Sequence, residues 1–177
     1  MIEYWDLLLP DGTPTGETMP SNQRIPDDRC TLVVHCFIAN QSGQFLLQKR
    51  SMKKKYFPGI WDGTGGRVLA GETGREAMVR ELQEELGLMA QPEDLQLIDC
   101  YKLPWRNFFE IYAVKLDFTL SDCFRQEEEV DELALLPYED AVRLLKEHKD
   151  SPDNDAYFAA FSRANALLNE SSKTPCL

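Results

Sequence analysis

GRVLAGETGREAMVRELQEELGL, residues Gly66–Leu88, joins a glycine-containing loop to a helix that carries its own start and stop signals. Thr73 followed three residues later by Glu76 reads as a capping box, which places the helix start near Gly74. Gly87 after Leu86 supplies the C-terminal signal. At about 100° per residue, Met78, Val79, Leu82 and Leu86 gather on one arc. Glu81, Glu84 and Glu85 gather on another, with only the small Ala77 among them. Like charges at this spacing repel by a few tenths of a kcal/mol per pair. Such a patch is either a solvated acidic face or a set of ligands for a divalent cation. Mg²⁺ takes oxygen ligands and bridges carboxylates to substrate phosphates, and the glycine loop ahead of the helix favours the second reading.

Within the same stretch, Gly66, Glu72, Arg80, Glu81, Leu82, Glu84, Glu85, Gly87 and Leu88 reproduce a known spacing without an insertion. The order is Gly, five residues, Glu, seven residues, then Arg-Glu-apolar-any-Glu-Glu-any-Gly-apolar. The chain thereby resembles the Nudix hydrolases, through a box of 23 residues. The resemblance implies an α/β fold, the α/β/α sandwich of that family built on a mixed β-sheet. It also implies attack of water on a diphosphate linkage, with Mg²⁺ (or Mn²⁺) bound. Glu81, Glu84 and Glu85 would hold the metal, and the backbone carbonyl of Gly65 would add a ligand where a Cβ would obstruct the approach. Arg80 would hold a carboxylate in place, and Glu72 would tether the loop. The base would be Glu81 or an acid from a later loop. Of the run Glu127-Glu128-Glu129, Glu128 is preferred as that acid and as a further metal ligand, with a solvated turn as the alternative.

Upstream lies the basic run of an otherwise acidic chain, Lys49-Arg50-Ser51-Met52-Lys53-Lys54-Lys55. Together with Phe57-Pro58-Gly59, Trp61 and the approach Glu3-Tyr4-Trp5-Asp6, it is similar to the corresponding stretch of isopentenyl diphosphate isomerases, which share the Nudix fold. That similarity makes Arg50, Lys54 and Lys55 candidates to hold substrate phosphates; the other reading is a solubilising strand edge. The isomerases use a cysteine in the loop after the tryptophan. Here Trp61–Gly66 reads WDGTGG and has none, while Cys36 and His35 sit on an earlier strand. Hydrolysis is therefore preferred over isomerisation, with a non-catalytic nucleotide-binding regulator as a third reading. The preferred substrate is a nucleoside diphosphate or a derivative of one. Trp105, Phe108, Phe109 and Tyr112 could stack on a base or fill a core.

Length and composition fit this picture. A chain of 177 residues, 43% hydrophobic and 28% charged, suits a single globular domain over 1–177. Its formal charge of −11 argues against nucleic acid or an anionic membrane as partner. A small diphosphate is then the partner, and the chain is expected as a monomer or homodimer. Five cysteines without paired spacing, no basic apolar leader and no apolar run near the ~18 residues of a span lead to the cytoplasm as the expected location. Outward from the box, Glu3–Leu9 and Gly16–Met19 flank a Pro-Asp-Gly turn, giving a hairpin extension within 1–29. Thr31–Ala39 and Phe45–Lys49 read as a second hairpin. Leu95–Tyr101, Asn107–Leu116 and Val130–Leu136 read as strands, Tyr138–His148 as a helix, and 152–171 as a last helix capped by Ser151 with Pro152 at its first position.

Overall fold

Alternation of apolar side chains along Thr31–Ala39 (β3) puts two different cores on the two faces of one strand, and the rest of the molecule is layered about it. The computed structural model describes residues 2–103, 107–148 and 154–170. Ahead of β3, Tyr4–Leu8 (β1) and Pro14–Pro20 (β2) form an antiparallel hairpin with Trp5 opposite Met19. The remaining strands are Phe45–Arg50 (β4), Trp61–Asp62 (β5), Thr64–Arg67 (β6), Gln96–Leu103 (β7), Asn107–Lys115 (β8) and Val130–Leu136 (β9). They make a seven-stranded sheet in the order β5-β4-β3-β8-β7, with β6 added to β3 and β9 to β4. β3 and β8 run parallel through all nine residue pairs, Thr31↔Asn107 to Ala39↔Lys115, whereas the other pairings are antiparallel, so the sheet is mixed.

Among the described residues, three helices cover this sheet: Gly74–Leu86 (α1), Tyr138–His148 (α2) and Asn154–Asn165 (α3), the last running on as a wider turn through Ala166–Glu170. On one face, Val34, Cys36 and Ile38 of β3 pack with Ala77, Met78, Leu82 and Leu86 of α1. On the other, Phe37 and Ala39 pack with Ala141 and Leu145 of α2 and with Tyr157, Ala160 and Phe161 of α3. The result is an α/β/α sandwich. Each fully buried Leu, Met or Phe contributes about 1.5–3 kcal/mol, and Phe161 stacks flat on Phe37 with ring centres 4.4 Å apart.

The expected hairpin of β3 and β4 pairs only at its closed end, Ile38↔Leu46 and Ala39↔Phe45. Lower down, that edge of β3 is taken by β6, with Val33↔Arg67 through Cys36↔Thr64, and β4 turns to β5 and β9 instead. The glycine stretch, read from sequence as loop, is thus largely strand. Without side chains to alternate it gives no period-two signal. The expected start of the last helix, Ser151 and Pro152, lies outside the described residues, as does Trp105. Across the sheet, the Tyr157 hydroxyl donates to Asp62 Oδ1 at 2.7 Å and lies 3.3 Å from His35 Nε2, joining α3 to the strand that enters the glycine stretch.

Candidate active site

The helix that carries the glutamates begins as its sequence dictates. The Glu76 amide donates to Thr73 Oγ1 at 3.3 Å, and the Thr73 amide donates back to Glu76 Oε2 at 2.7 Å. Gly87 closes the helix with φ of 69°, its N–H donating to the Gln83 carbonyl. Between these caps, α1 lies along β6 so that Gly66 faces the Glu81 carboxylate, and a Cβ at Gly66 would collide with that carboxylate. Gly65 lies opposite His35 in the β3–β6 ladder, where a Cβ would strike the Val34 carbonyl oxygen. Glycine is required at both positions for close approach.

Arg80 is the hub of the site. Its Nε and Nη2 donate to the two oxygens of Glu72 at 2.8 and 3.0 Å, and Nη2 also reaches the Arg67 carbonyl at 3.0 Å. Its Nη1 donates to Glu81 Oε1 at 2.8 Å and to Glu84 Oε2 at 3.2 Å. Glu72 Oε2 accepts in addition from the Leu69 amide at 3.0 Å, so one guanidinium fixes the loop and two carboxylates together. Burial pushes the Glu72 carboxyl up, but the bonds from Arg80 and Leu69 overcome it and hold its pKa below the usual range. Glu81 goes the other way, because burial outweighs the attraction of Arg80.

Glu85 is buried, unlike the exposed Glu84. Gln48, one of the polar residues on the α1 face of β4, donates its Nε2 to Glu85 Oε2 at 2.9 Å. Burial, opposed by this bond and reinforced by the charges of Glu81 and Glu129, raises the Glu85 pKa to about 8. Within the acidic run, Glu128 is exposed and Glu129, half-buried, is the acid whose charge acts on Glu85. The reason is local pairing: the Glu129 carbonyl accepts from the Ser51 amide at 2.8 Å and its carboxylate pairs with Lys54 Nζ at 2.5 Å, which clips the acidic turn to the basic one. Arg50 donates its Nε to the Tyr56 carbonyl at 2.9 Å and is near enough to pull down the Glu85 pKa. Lys55 lies over the Tyr56 ring at 5.0 Å.

Gln48 and Glu129 are the residues that sequence reasoning missed. A polar residue two positions after Leu46, at a core-facing place of a strand, is a signal for the first; nothing in a run of three glutamates distinguishes the second. Cys36 faces the α1 core opposite Thr64, and burial pushes its thiol well above the ordinary range. Of the candidate stacking rings, Tyr112 is buried against α1, Phe108 lies under Lys102 at 5.8 Å, and Phe109 packs beside His35 and Tyr101.

A hard divalent cation fits this donor set in kind. The donors are carboxylate and amide oxygens, Gln48 Oε1 is buried without a hydrogen-bond partner, and the charges of Glu81 and Glu129 raise the cost of ionising Glu85. They are not a preformed cage. Glu81 and Glu84 hold Arg80, and among the described residues no three His, Cys, Asp or Glu side chains stand together as a metal-binding group. No helix among the described residues is long and apolar enough to cross a membrane.

Comparison with known proteins adds an independent line. The NUDIX domain model matches residues 31–161. An uncharacterized Nudix hydrolase of Listeria monocytogenes is 32% identical over 174 residues, covering 98% of both chains. An isopentenyl-diphosphate Delta-isomerase of Paenarthrobacter aurescens is 37% identical over 93 residues, which is 51% of this chain and 50% of that one. Among solved structures, DR0079 of Deinococcus radiodurans superposes with a TM-score of 0.70 at 23% identity, over 92% of this chain and 99% of that one. The family model spans β3 to α3 and so includes both faces of the sheet and the whole clamp around Arg80, and with the full-length Listeria relative it shows that the chain belongs to the Nudix hydrolases, enzymes that cleave diphosphate linkages.

Proposed function

We propose that the chain hydrolyses the diphosphate linkage of a nucleoside diphosphate, or of a derivative of one, with Mg²⁺ as the metal and Mn²⁺ able to replace it. The observation that carries this reading is the α1 carboxylates laid beside the glycine strand, Glu81 against Gly66 and Glu85 bonded to Gln48, with basic side chains on the adjoining loop. The carboxylates of Glu81, Glu84, Glu85 and Glu129 and the Gly65 carbonyl would hold the metal. Bound there, a divalent cation supplies charge neutralisation at the phosphoryl oxygens and a more acidic water. The chain's own residues do the rest. Arg80 fixes Glu81 and Glu84 relative to the loop, and Gln48 orients Glu85 through its amide. Glu81 or Glu129 accepts the proton of the attacking water, and Arg50, Lys54 and Lys55 would hold phosphate, Lys54 exchanging its bond to Glu129 for one to the substrate.

The isomerase reading has partial-length relatives in its favour, but Trp61–Gly66 offers no cysteine and Cys36 is buried in the α1 core. The test is phosphate release with Mg²⁺ across nucleoside di- and triphosphates, ADP-ribose, dinucleoside polyphosphates, CoA and isopentenyl diphosphate. Release from nucleoside diphosphates, lost in Glu84→Gln with an unchanged circular dichroism spectrum, is the expected result. Isomerised product without phosphate release overturns the reading. Binding of nucleotides without turnover assigns the chain a regulatory role instead.

A further inference from the structure

The strand rings that could stack on a base are taken up by packing: Tyr112 is buried, and Phe109 lies beside His35 and Tyr101. The rings open to solvent are on the loop between β4 and β5, where Tyr56 and Phe57 are 63% and 67% exposed. Leaving such apolar surface in water is unfavourable. Tyr56 has the Lys55 ammonium over its ring at 5.0 Å. Among the described residues, neither a ring nor a cation lies against Phe57. Phe57 is also alone among the described non-glycine residues in having a left-handed backbone, with φ of 53°. A bulky side chain at positive φ is strained. Such strain persists where the surroundings over-determine it, and it clusters at ligand sites.

The loop that carries these rings is firmly framed. At its neck the Arg50 amide donates to the Ile60 carbonyl at 2.8 Å, and the Gly59 amide donates back to the Arg50 carbonyl at 2.9 Å. Beyond the neck, the Met52 amide donates to Asp131 Oδ2 at 2.9 Å, and the Lys54 amide turns back to the Ser51 carbonyl at 3.1 Å. Met52 lies against Gly59, where a Cβ would strike its sulfur. Arg50 Nε donates to the Tyr56 carbonyl at 2.9 Å, so the tip rests on that guanidinium. Arg50 is two residues after Gln48 on β4, and alternation puts both side chains on the α1 face. Gln48 in turn holds Glu85 at 2.9 Å. Glu85, Gln48, Arg50 and Tyr56 thus form a continuous line from the carboxylates to the tip, and Phe57 is one residue further, about 3.8 Å of chain. Cations and rings stand next to each other on one fixed frame.

We propose that Tyr56 and Phe57 form a stacking platform for the nucleobase of the substrate, directly after the cations that hold its phosphates. The proposal rests on the nucleoside diphosphate reading, because a nucleotide is the ligand in which phosphates and a planar apolar ring follow one another over so short a span. Arg50, Lys54 and Lys55 pair with phosphate oxygens, whereas an aromatic face accepts any base through its π-surface. Stacking is blind to the base edge. The platform therefore selects nucleotides over other diphosphates, not one nucleotide over another. The strained backbone at Phe57 is the cost of presenting a ring where glycine would fit more easily.

Calorimetric titration of the full-length chain with Mg²⁺ present tests this, using AMP, GMP, CMP and UMP, with ribose 5-phosphate as the same phosphoester without a base. None of these contains a diphosphate linkage, so binding is read without turnover. The parent should bind each nucleotide about 10-fold or more tighter than ribose 5-phosphate, the scale of a stacked base. Phe57→Gly should weaken all the nucleotides by about 5-fold or more and leave ribose 5-phosphate unchanged. The same variant should keep or raise the melting temperature, since glycine relieves the left-handed backbone. A ring needed only for packing would instead lower the melting temperature and leave the nucleotide preference intact. Phe57→Trp should retain the preference, and Tyr56→Leu should reduce it by roughly 3–10-fold. A parent that binds nucleotides no tighter than ribose 5-phosphate overturns the proposal, as does a preference that survives in both Phe57→Gly and Tyr56→Leu. The hydrolase reading fails differently. A base preference lost in Phe57→Gly, in a chain that hydrolyses nothing in the panel, keeps the platform and loses the hydrolase. Hydrolysis of isopentenyl diphosphate without any base preference keeps a hydrolase and loses the platform.

Discussion

At Gly66 a single hydrogen atom in place of a side chain decides whether the glutamates of α1 can reach the strand beside them. The carboxylate of Glu81 occupies the space that a Cβ would need. Gly66→Ala should therefore displace Glu81, together with the Arg80 bond that Glu81 accepts at 2.8 Å, while the hydrophobic face of α1 keeps the helix docked. The expected outcome is a loss of roughly 100-fold or more in kcat, the scale on which ~1 Å displacements act, with an unchanged far-ultraviolet spectrum. Activity within a few-fold of the parent would show that Glu81 need not sit against the strand. The Arg80 cluster was legible in the sequence because its members are confined to one loop and one helix, where spacing translates directly into geometry. Gln48 with Glu85, and Lys54 with Glu129, are 37 and 75 residues apart and meet only through the sheet. No local pattern encodes those meetings, and for the same reason none separates the members of the run Glu127-Glu128-Glu129.

The elements themselves show where side-chain pattern ends and tertiary pairing begins. Helix α1 was readable to the residue because Thr73, Glu76 and Gly87 satisfy its terminal amides and carbonyls by chemistry that any sequence displays. β6 was not readable, because two of its four residues are glycines and its strand character comes from β3. The cap makes a pH prediction. Backbone and side-chain hydrogen bonds from Thr73 hold the Glu76 pKa below its ordinary value of 4.5. A carboxyl lowered on folding stabilises the native state above its unfolded pKa, and that contribution disappears as pH falls through the folded pKa. Melting temperatures measured from pH 6 down to pH 2 should therefore fall less steeply in Glu76→Gln than in the parent, with the two curves converging at the acid end. Parallel curves would remove Glu76 from the account of acid stability.

On the scale of the whole molecule, β3 separates two jobs between its faces. The α1 side carries the carboxylates, and the α3 side carries the larger aromatic core, in which Phe161 touches Phe37, Phe45 and Tyr138 at ring distances of 4.4, 4.8 and 4.9 Å. Because the two cores share only the backbone of the sheet, stability and chemistry should be separable by mutation. Phe161→Ala removes a fully buried ring and should destabilise by about 3–5 kcal/mol in urea titration. No side chain of the Arg80 clamp touches Phe161, so kcat measured well below the new melting temperature should stay within about 2-fold of the parent. A collapse of kcat in protein that circular dichroism shows to be folded would mean that the sheet transmits packing on the α3 face to the carboxylates on the other. The route for such transmission is already visible: Tyr157, one turn before Phe161, holds Asp62 at 2.7 Å at the entrance of the glycine strand. Tyr157→Phe would then reproduce the loss of kcat at a much smaller cost in stability, and comparison of the two variants separates a specific link through Asp62 from a general loosening of the core.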